Sequence, residues 1–149
     1  MIERTLVMVK PDAVVRGLIG EIISRIERKG LKIVAMKMKF LGEEEARELY
    51  SPHIGKPFFE ELIKFVRSAP VVLMVVEGES AISVMRRLLG LTDSKEANPG
   101  TIRGDFSCSK SMNLVHASDS EDSAKREIAI FFKDEDFLSY KRLDEGWVY

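Results

Sequence analysis

Cysteine is nearly absent from this chain: Cys108 is the only one among 149 residues. No internal disulfide can form, so the fold must rest on an apolar core, which a chain of this length can bury without covalent staples. A single thiol fits a reducing compartment. No charged segment, apolar segment and cleavage site follow one another at the start, so a soluble, cytoplasmic protein is expected. Long apolar runs are also missing. None approaches the ~20 residues that span a bilayer, and no membrane partner is expected. Nor does charge of one sign dominate: 23 Lys and Arg stand against 24 Asp and Glu, net −1. That balance argues against nucleic acid as the main partner, although it allows a local cationic cluster. There is no Walker A loop, since Gly55-Lys56 runs into Pro57 and position 50 is tyrosine. A glycine-rich kinase loop and a CxxC pair are absent too.

What is there is an ordinary globular mixture, 45% hydrophobic and 32% charged, arranged as alternating strand-like and helix-like segments. Residues 4–9 are apolar and end at Lys10-Pro11-Asp12, a strand and then a turn. From Leu18 the period becomes helical, with Leu18, Ile22 and Ile26 on one face and Gly30 as the stop. Met36-Lys37-Met38-Lys39-Phe40 alternates as a half-buried strand does. Glu43–Tyr50 reads as a helix with Ala46, Leu49 and Tyr50 on one face. Residues 58–67 form another, striped by Phe59, Leu62, Ile63 and Val66. Val71–Val76 is a continuous apolar strand, and Ser80 is placed to cap a helix that runs to Leu89 and stops at Gly90. Leu114–His116 is a short strand, and Ser118–Phe131 a helix opened by the capping-box pattern Ser118-x-x-Glu121. The alternation predicts a single α/β domain over 1–149, with strand order left open. Residues 91–112 are the exception. This polar stretch has no period, and a loop of that length in a compact domain is either functional or disordered. Its segment Pro99-Gly-Thr-Ile-Arg-Gly-Asp-Phe106 favours function.

His116 sits where a strand gives way to a helix, close to free backbone N–H groups that attract anions. A neutral imidazole can attack phosphorus and carry a phosphoryl group. A lone histidine is also a common structural residue, so spacing alone leaves both readings open. Glu127 bears on the choice. Residues 124, 127, 128 and 131 share one helix face, and three of them are Ala124, Ile128 and Phe131. A carboxylate aimed with such a stripe needs a partner, which the imidazole N–H would supply; the alternative is a glutamate at the stripe's edge, reaching water. Lys10 ends an apolar strand. Arg103 lies between Gly100 and Gly104, whose freedom would let its backbone approach a ligand. Arg86 and Arg87 point to different helix faces, so one could meet a site while the other meets water.

Together these residues carry a resemblance. Asn113-Leu-Val-His-Ala-Ser-Asp-Ser120 resembles the active-site motif of the nucleoside diphosphate kinase family. So do Lys10-Pro-Asp12, Arg16-Gly17, Lys56-Pro-Phe-Phe59 and Pro99–Phe106, in family order across nearly the whole chain. The resemblance implies an α/β (α+β) fold, a ferredoxin-like four-stranded antiparallel sheet covered by helices. It implies a ping-pong phosphotransferase that moves the γ-phosphoryl of a nucleoside triphosphate to a diphosphate through a phosphohistidine at His116. Glu127 would orient His116, and Ser118 would stand beside it. Lys10, Tyr50, Arg86, Thr92 and Arg103 match residues around the phosphates, and Lys10 and Asn113 match ribose-binding groups. Phe58 matches the aromatic on which the base stacks, with Leu62 lining the same slot. Mg²⁺ would bind through the phosphates, with no direct protein ligand. Stacking without readout of base edges predicts tolerance of any base. A homo-oligomer is implied, a hexamer first and a tetramer second, with Trp147 and Tyr149 packing on a neighbour or on the core. The chain departs from the family pattern at Ala117, where glycine is usual, at Lys110 and at Ser94–Asn98. Ala117 would be strained only if its φ is positive. Two rivals stand beside this reading, a catalytically idle nucleotide-binding module and a nucleic-acid-binding protein.

Overall fold

The computed structural model describes residues 1–149. In chain order the elements are β1 (Ile2–Val9), α1 (Pro11–Val15), α2 (Ile19–Lys29), β2 (Lys32–Lys39), α3 (Glu43–Leu49), α4 (Phe59–Val66), β3 (Val71–Glu79), α5 (Ala81–Leu89), α6 (Ile102–Phe106), β4 (Val115–Ala117), α7 (Glu121–Phe131) and α8 (Glu145–Val148). The strands form one antiparallel sheet in the order β2-β3-β1-β4. This is the expected ferredoxin-like arrangement in a single domain. The connection from β2 to β3 is swollen by α3 and α4.

Helices cover both faces, so the two central strands are buried on both sides and carry continuous apolar runs. Leu6 and Met8 of β1, with Leu73 and Val75 of β3, face Ala46, Leu49, Phe59, Ile63 and Phe131 of α3, α4 and α7. Val7 and Val9, with Val72 and Met74, face Ile22, Ile26, Met85 and Leu89 of α2 and α5. The period of two in the strands thus feeds two separate cores. On α2, Ile22 and Ile26 are fully buried, about 1.5–3 kcal/mol each. Gly30 then stops the helix with φ 107°.

Four local expectations are corrected. The turn read at Pro11-Asp12 is the short helix α1, with Pro11 in its first turn, where a missing N–H costs nothing. Ser80 precedes α5 but has φ 52° and gives no side-chain cap. The cap of α7 is Ser120, whose Oγ accepts from Ser123 N at 3.1 Å; Ser118 is freed for another task. The alternation in β2 is real, but it is the apolar Met36, Met38 and Phe40 that are exposed. β2 lies at the sheet edge, and its Lys37 and Lys39 turn inward to bond Phe131 O and Glu45.

Residues 91–112 are ordered and partly helical, with α6 and a 3₁₀ turn at Ser94–Glu96. Thr101 caps α6, accepting from Gly104 N at 3.0 Å and donating to Asn98 O at 2.6 Å. Gly104 is required there, since a Cβ would overlap the Asn98 carbonyl. Its task is therefore close packing within the loop, where freedom to approach a ligand was expected. Arg25 of α2 ties the loop down through Asp105 at 2.7 Å and Gly100 O at 3.3 Å. No helix is long and apolar enough to cross a membrane.

Candidate active site

Strand register brings the site together. Met8 pairs with His116, so His116 projects on the same face as Met8, toward α7 and α3. There its Nε2 lies 2.8 Å from Glu127 Oε1. A carboxylate only accepts, so Nε2 carries the proton and Nδ1 keeps its lone pair. Ser118 Oγ donates to the same oxygen at 2.8 Å and accepts from Leu6 N at 3.3 Å. Glu127 is only 4% exposed. It is no edge residue, and its two donors are what make its burial affordable. The Tyr50 ring meets the His116 ring edge-on, centroids 5.9 Å apart. The Tyr50 hydroxyl is buried without a partner, which costs about 1–3 kcal/mol unless a bound group supplies one. Burial pushes this phenol's pKa up, as do Glu127 and Asp12.

Cations line the same region. Lys10 is buried, and its Nζ donates to Asn113 Oδ1 at 2.9 Å and Ser111 O at 3.1 Å. Burial pulls its pKa down to about 8; Asp12 opposes this and Arg103 adds to it. Asn113 is locked in turn, its Nδ2 donating to Thr92 O and Lys110 O, both at 3.0 Å. Arg103 is buried as well, and spends its guanidinium on the carbonyls of Val115, Asn113 and Gly90 at 2.6, 3.1 and 3.1 Å. Burial and nearby Arg86 lower its pKa to about 10. Arg86 donates to Ala117 O at 3.1 Å and is half-buried, while Arg87 is exposed, as their helix positions implied. Thr92 lies exposed on the loop after α5.

The mouth is aromatic. Phe58, at the start of α4, is 49% exposed, with the His53 ring 5.6 Å away and Lys56 Nζ 5.8 Å over its face. Leu62 is partly buried one turn on, against the core. Ala117 has no positive φ, so its replacement of glycine costs nothing; the left-handed residue is Leu114, φ 77°.

Three neighbours of the site were not singled out from sequence. His53 bridges Tyr50 and Phe58, with its pKa lowered by burial, Lys56 and His116 against Asp119. Arg126 reaches Glu48 O at 2.6 Å and Leu49 O at 3.4 Å, clasping the end of α3. Asp12 is 8% exposed and accepts from Leu114 N at 3.1 Å. Arg126 and Asp12 act on groups distant in sequence, so no local pattern marks them, whereas His53 meets the nearby Tyr50, Lys56 and Phe58 in a stretch without helical or strand period. For Asp12, the apolar surroundings of its motif were the available hint.

A family model described as "Nucleoside diphosphate kinase" matches residues 3–137. The chain is 62% identical over 138 residues to a nucleoside diphosphate kinase of Staphylothermus marinus, covering 93% of this chain and 98% of the relative. It is 56% identical to that of Archaeoglobus fulgidus, covering 99% and 97%. Among solved structures, a halophilic nucleoside diphosphate kinase from Halobacterium salinarum in complex with CDP superposes with a TM-score of 0.97 at 50% identity, covering 100% of this chain and 99% of that one. A transition-state mimic of the Borrelia burgdorferi enzyme with bound vanadate and ADP gives 0.93 at 45% identity, covering 98% and 96%. An enzyme fold, a histidine held by a buried carboxylate and a lining of cations agree with these likenesses, and the chain belongs to the nucleoside diphosphate kinase family.

Proposed function

We propose that this enzyme transfers the γ-phosphoryl group by a ping-pong reaction in which His116 is phosphorylated, and that it accepts nucleotides of any base. The observation that carries the proposal is the buried hydrogen-bonded set of His116, Glu127 and Ser118. With the Nε2 proton held by Glu127, Nδ1 attacks the γ-phosphorus. A P–N bond forms, the bridging P–O bond breaks, and the nucleoside diphosphate leaves. A second diphosphate then attacks the phosphohistidine through its terminal oxygen and restores the ring. Glu127 stabilises the positive charge that develops on the imidazole, an electrostatic contribution made in a dry site. Ser118 holds Glu127 in place. Lys10, Arg86 and Arg103 offset phosphate charge, with Thr92 beside them, and the unpaired Tyr50 hydroxyl donates to a phosphoryl oxygen. Lys10 and Asn113 meet the ribose hydroxyls. The base stacks on Phe58 beside Leu62, contacts that every base can make.

Lys10, Arg86 and Arg103 are cations that would meet phosphate oxygens and cannot ligate a metal ion, so a Mg²⁺ here would arrive on the phosphates. When bound, Mg²⁺ neutralises phosphate charge and aligns the leaving group. Residues 1–149 act as one catalytic domain in the cytoplasm, the location that a lone cysteine favours. The working form is a homohexamer. The exposed Met36 and Met38 of the edge strand β2, Phe40 just after it, and the exposed tail residues Leu143 and Trp147 supply apolar surface for assembly.

The test is to incubate the enzyme with γ-phosphate-labelled ATP, then add GDP, CDP or UDP separately. Label should reside on the chain after the first step, vanish in His116→Ala, and pass to all three acceptors at comparable kcat/KM. Unlabelled protein would indicate direct transfer or an idle module, and absolute preference for one acceptor would refute base tolerance.

A further inference from the structure

We infer that Phe65 is a positioning residue for the proposed reaction: its ring holds the Lys10 ammonium in place while leaving one N–H free for the nucleotide. The inference rests on the nucleotide reading above only for its consequence in binding, since the contact between the two side chains can be read without a ligand.

The hydrogen bonds of Lys10 account for only part of its stability. Lys10 is 6% exposed, and burying an ammonium costs free energy unless it is compensated. No carboxylate makes an ion pair or a hydrogen bond with it. Two oxygens accept from its Nζ, Asn113 Oδ1 at 2.9 Å and Ser111 O at 3.1 Å. An ammonium has three protons, so one is left over. The remaining neighbour is the Phe65 ring, with Nζ over it and 5.6 Å from its centroid, inside the ~6 Å within which a ring attracts a cation. A carboxylate in that place would cancel the charge that phosphate oxygens are to meet. A π-face attracts the cation without cancelling its charge, and it occupies no N–H.

Phe65 has no core task that would explain a large aromatic here. It is half-buried and is part of neither core, whereas Phe59, Ile63 and Val66 of the same helix are buried in one of them. Its backbone is fixed, because its carbonyl accepts from Ser68 N at 3.0 Å and from Ser68 Oγ at 2.6 Å at the end of α4. Phe58, Leu62 and Phe65 follow at i, i+4 and i+7, the spacing of one helix face. That face carries the proposed base platform at its start, the slot one turn on, and the ring over Lys10 a turn further. One short helix thus sets the distance between the base contact and the cation.

The experiment is a double-mutant cycle on ADP binding, by calorimetry with the parent, Phe65→Leu, Lys10→Met and the double variant. The Lys10 Hε resonances of the parent and of Phe65→Leu are recorded beside it. Leucine keeps an apolar side chain and removes the π-face. Phe65→Leu should weaken ADP binding about fivefold, the size of a partly desolvated cation–π contact. In the Lys10→Met background the same substitution should change binding by about twofold at most. Phe65→Tyr, which keeps a ring, should recover the affinity lost in Phe65→Leu. The Lys10 Hε protons of the parent should resonate upfield of those of an exposed lysine, shielded by the ring face, and should move downfield in Phe65→Leu. Equal weakening in both backgrounds, or Lys10 resonances that leucine does not move, overturns the inference and leaves Phe65 a packing residue. If Lys10→Met binds ADP as the parent does, the role of Lys10 in nucleotide binding fails, while the resonances still decide whether Phe65 holds it. If Phe65→Leu does not fold, the parent spectrum decides, and Lys10 protons at the position of an exposed lysine overturn the inference.

Discussion

Glu127 is where sequence pattern and structure meet most closely. A carboxylate on the apolar stripe of α7 needed a partner; it has His116 and Ser118, each at 2.8 Å from one oxygen, and Arg126 Nη2 3.5 Å from the other. Glu127→Gln keeps a hydrogen-bonding group of the same size but removes the charge that favours a developing imidazolium. We predict a fall in kcat/KM of roughly 10- to 1,000-fold, the range for losing one electrostatic or acid–base partner, with ADP affinity little changed. Single-turnover labelling measures it, and labelling at the parent rate would leave Glu127 a packing residue. Arg103 shows the opposite relation. Its flanking glycines suggested a backbone free to approach a ligand, yet its guanidinium is bound to three carbonyls. It contributes positive charge from a fixed position and joins α5, the loop and β4.

At the scale of elements, the site depends on how α7 sits against the end of α3. Arg126 provides the clasp, bonding Glu48 O, Leu49 O and Ser51 Oγ immediately beside Tyr50 and Glu127. Hydrogen bonds to a charged donor contribute more than neutral ones, but the side chain is 37% exposed, and solvent reduces the effect to about 1 kcal/mol. Arg126→Ala should lower Tm by about 2–4 °C. It should also raise the KM for ADP about fivefold, the equivalent of 1 kcal/mol, with kcat nearly unchanged. Thermal melts and steady-state kinetics decide this, and an unaltered KM would reduce Arg126 to a surface charge. The loop 98–106 makes a related point. Its order comes from Thr101, Gly104 and the Arg25–Asp105 pair at 2.7 Å, contacts that build a rigid platform from a segment without hydrophobic period.

For the whole molecule, the surface left bare is informative. The C-terminal tail lies along its own chain: Arg142 Nη1 donates to Leu31 O at 2.8 Å, Lys32 pairs with Glu145 at 2.7 Å, and Glu79 N donates to the Tyr149 hydroxyl at 3.2 Å. Tyr149 is therefore anchored on its own chain through its hydroxyl but stays 59% exposed, while Trp147 is 91% exposed and Leu143 wholly so. Met36 and Met38 of β2 and Phe40 just after it are exposed as well, apolar groups that assembly would cover. Light scattering should give the mass of six copies, with four as the alternative. Replacing Met38 and Phe40 by lysine should shift the distribution toward smaller species, and a monomeric mass for the parent would end the proposal.

The sequence by itself determined most of the elements and singled out the residues on which the proposed chemistry rests. Periods of 3.6 and 2 lie in local apolar spacing, which is why α2, α4, β1 and β3 were legible, and why Glu127 stood out as a carboxylate among Ala124, Ile128 and Phe131. Only the tertiary structure decided what depends on register and on contacts distant along the chain. The pairing of Met8 with His116 aims the imidazole at α7. Register likewise sets Met36 and Met38 opposite Met74 and Val72 of β3, and their exposure depends on how far the helices on that face extend over the edge strand. Asp12 and Leu114, 102 residues apart, share a hydrogen bond that no local pattern encodes, since its energy exists only once β1, α1 and the turn before β4 have met.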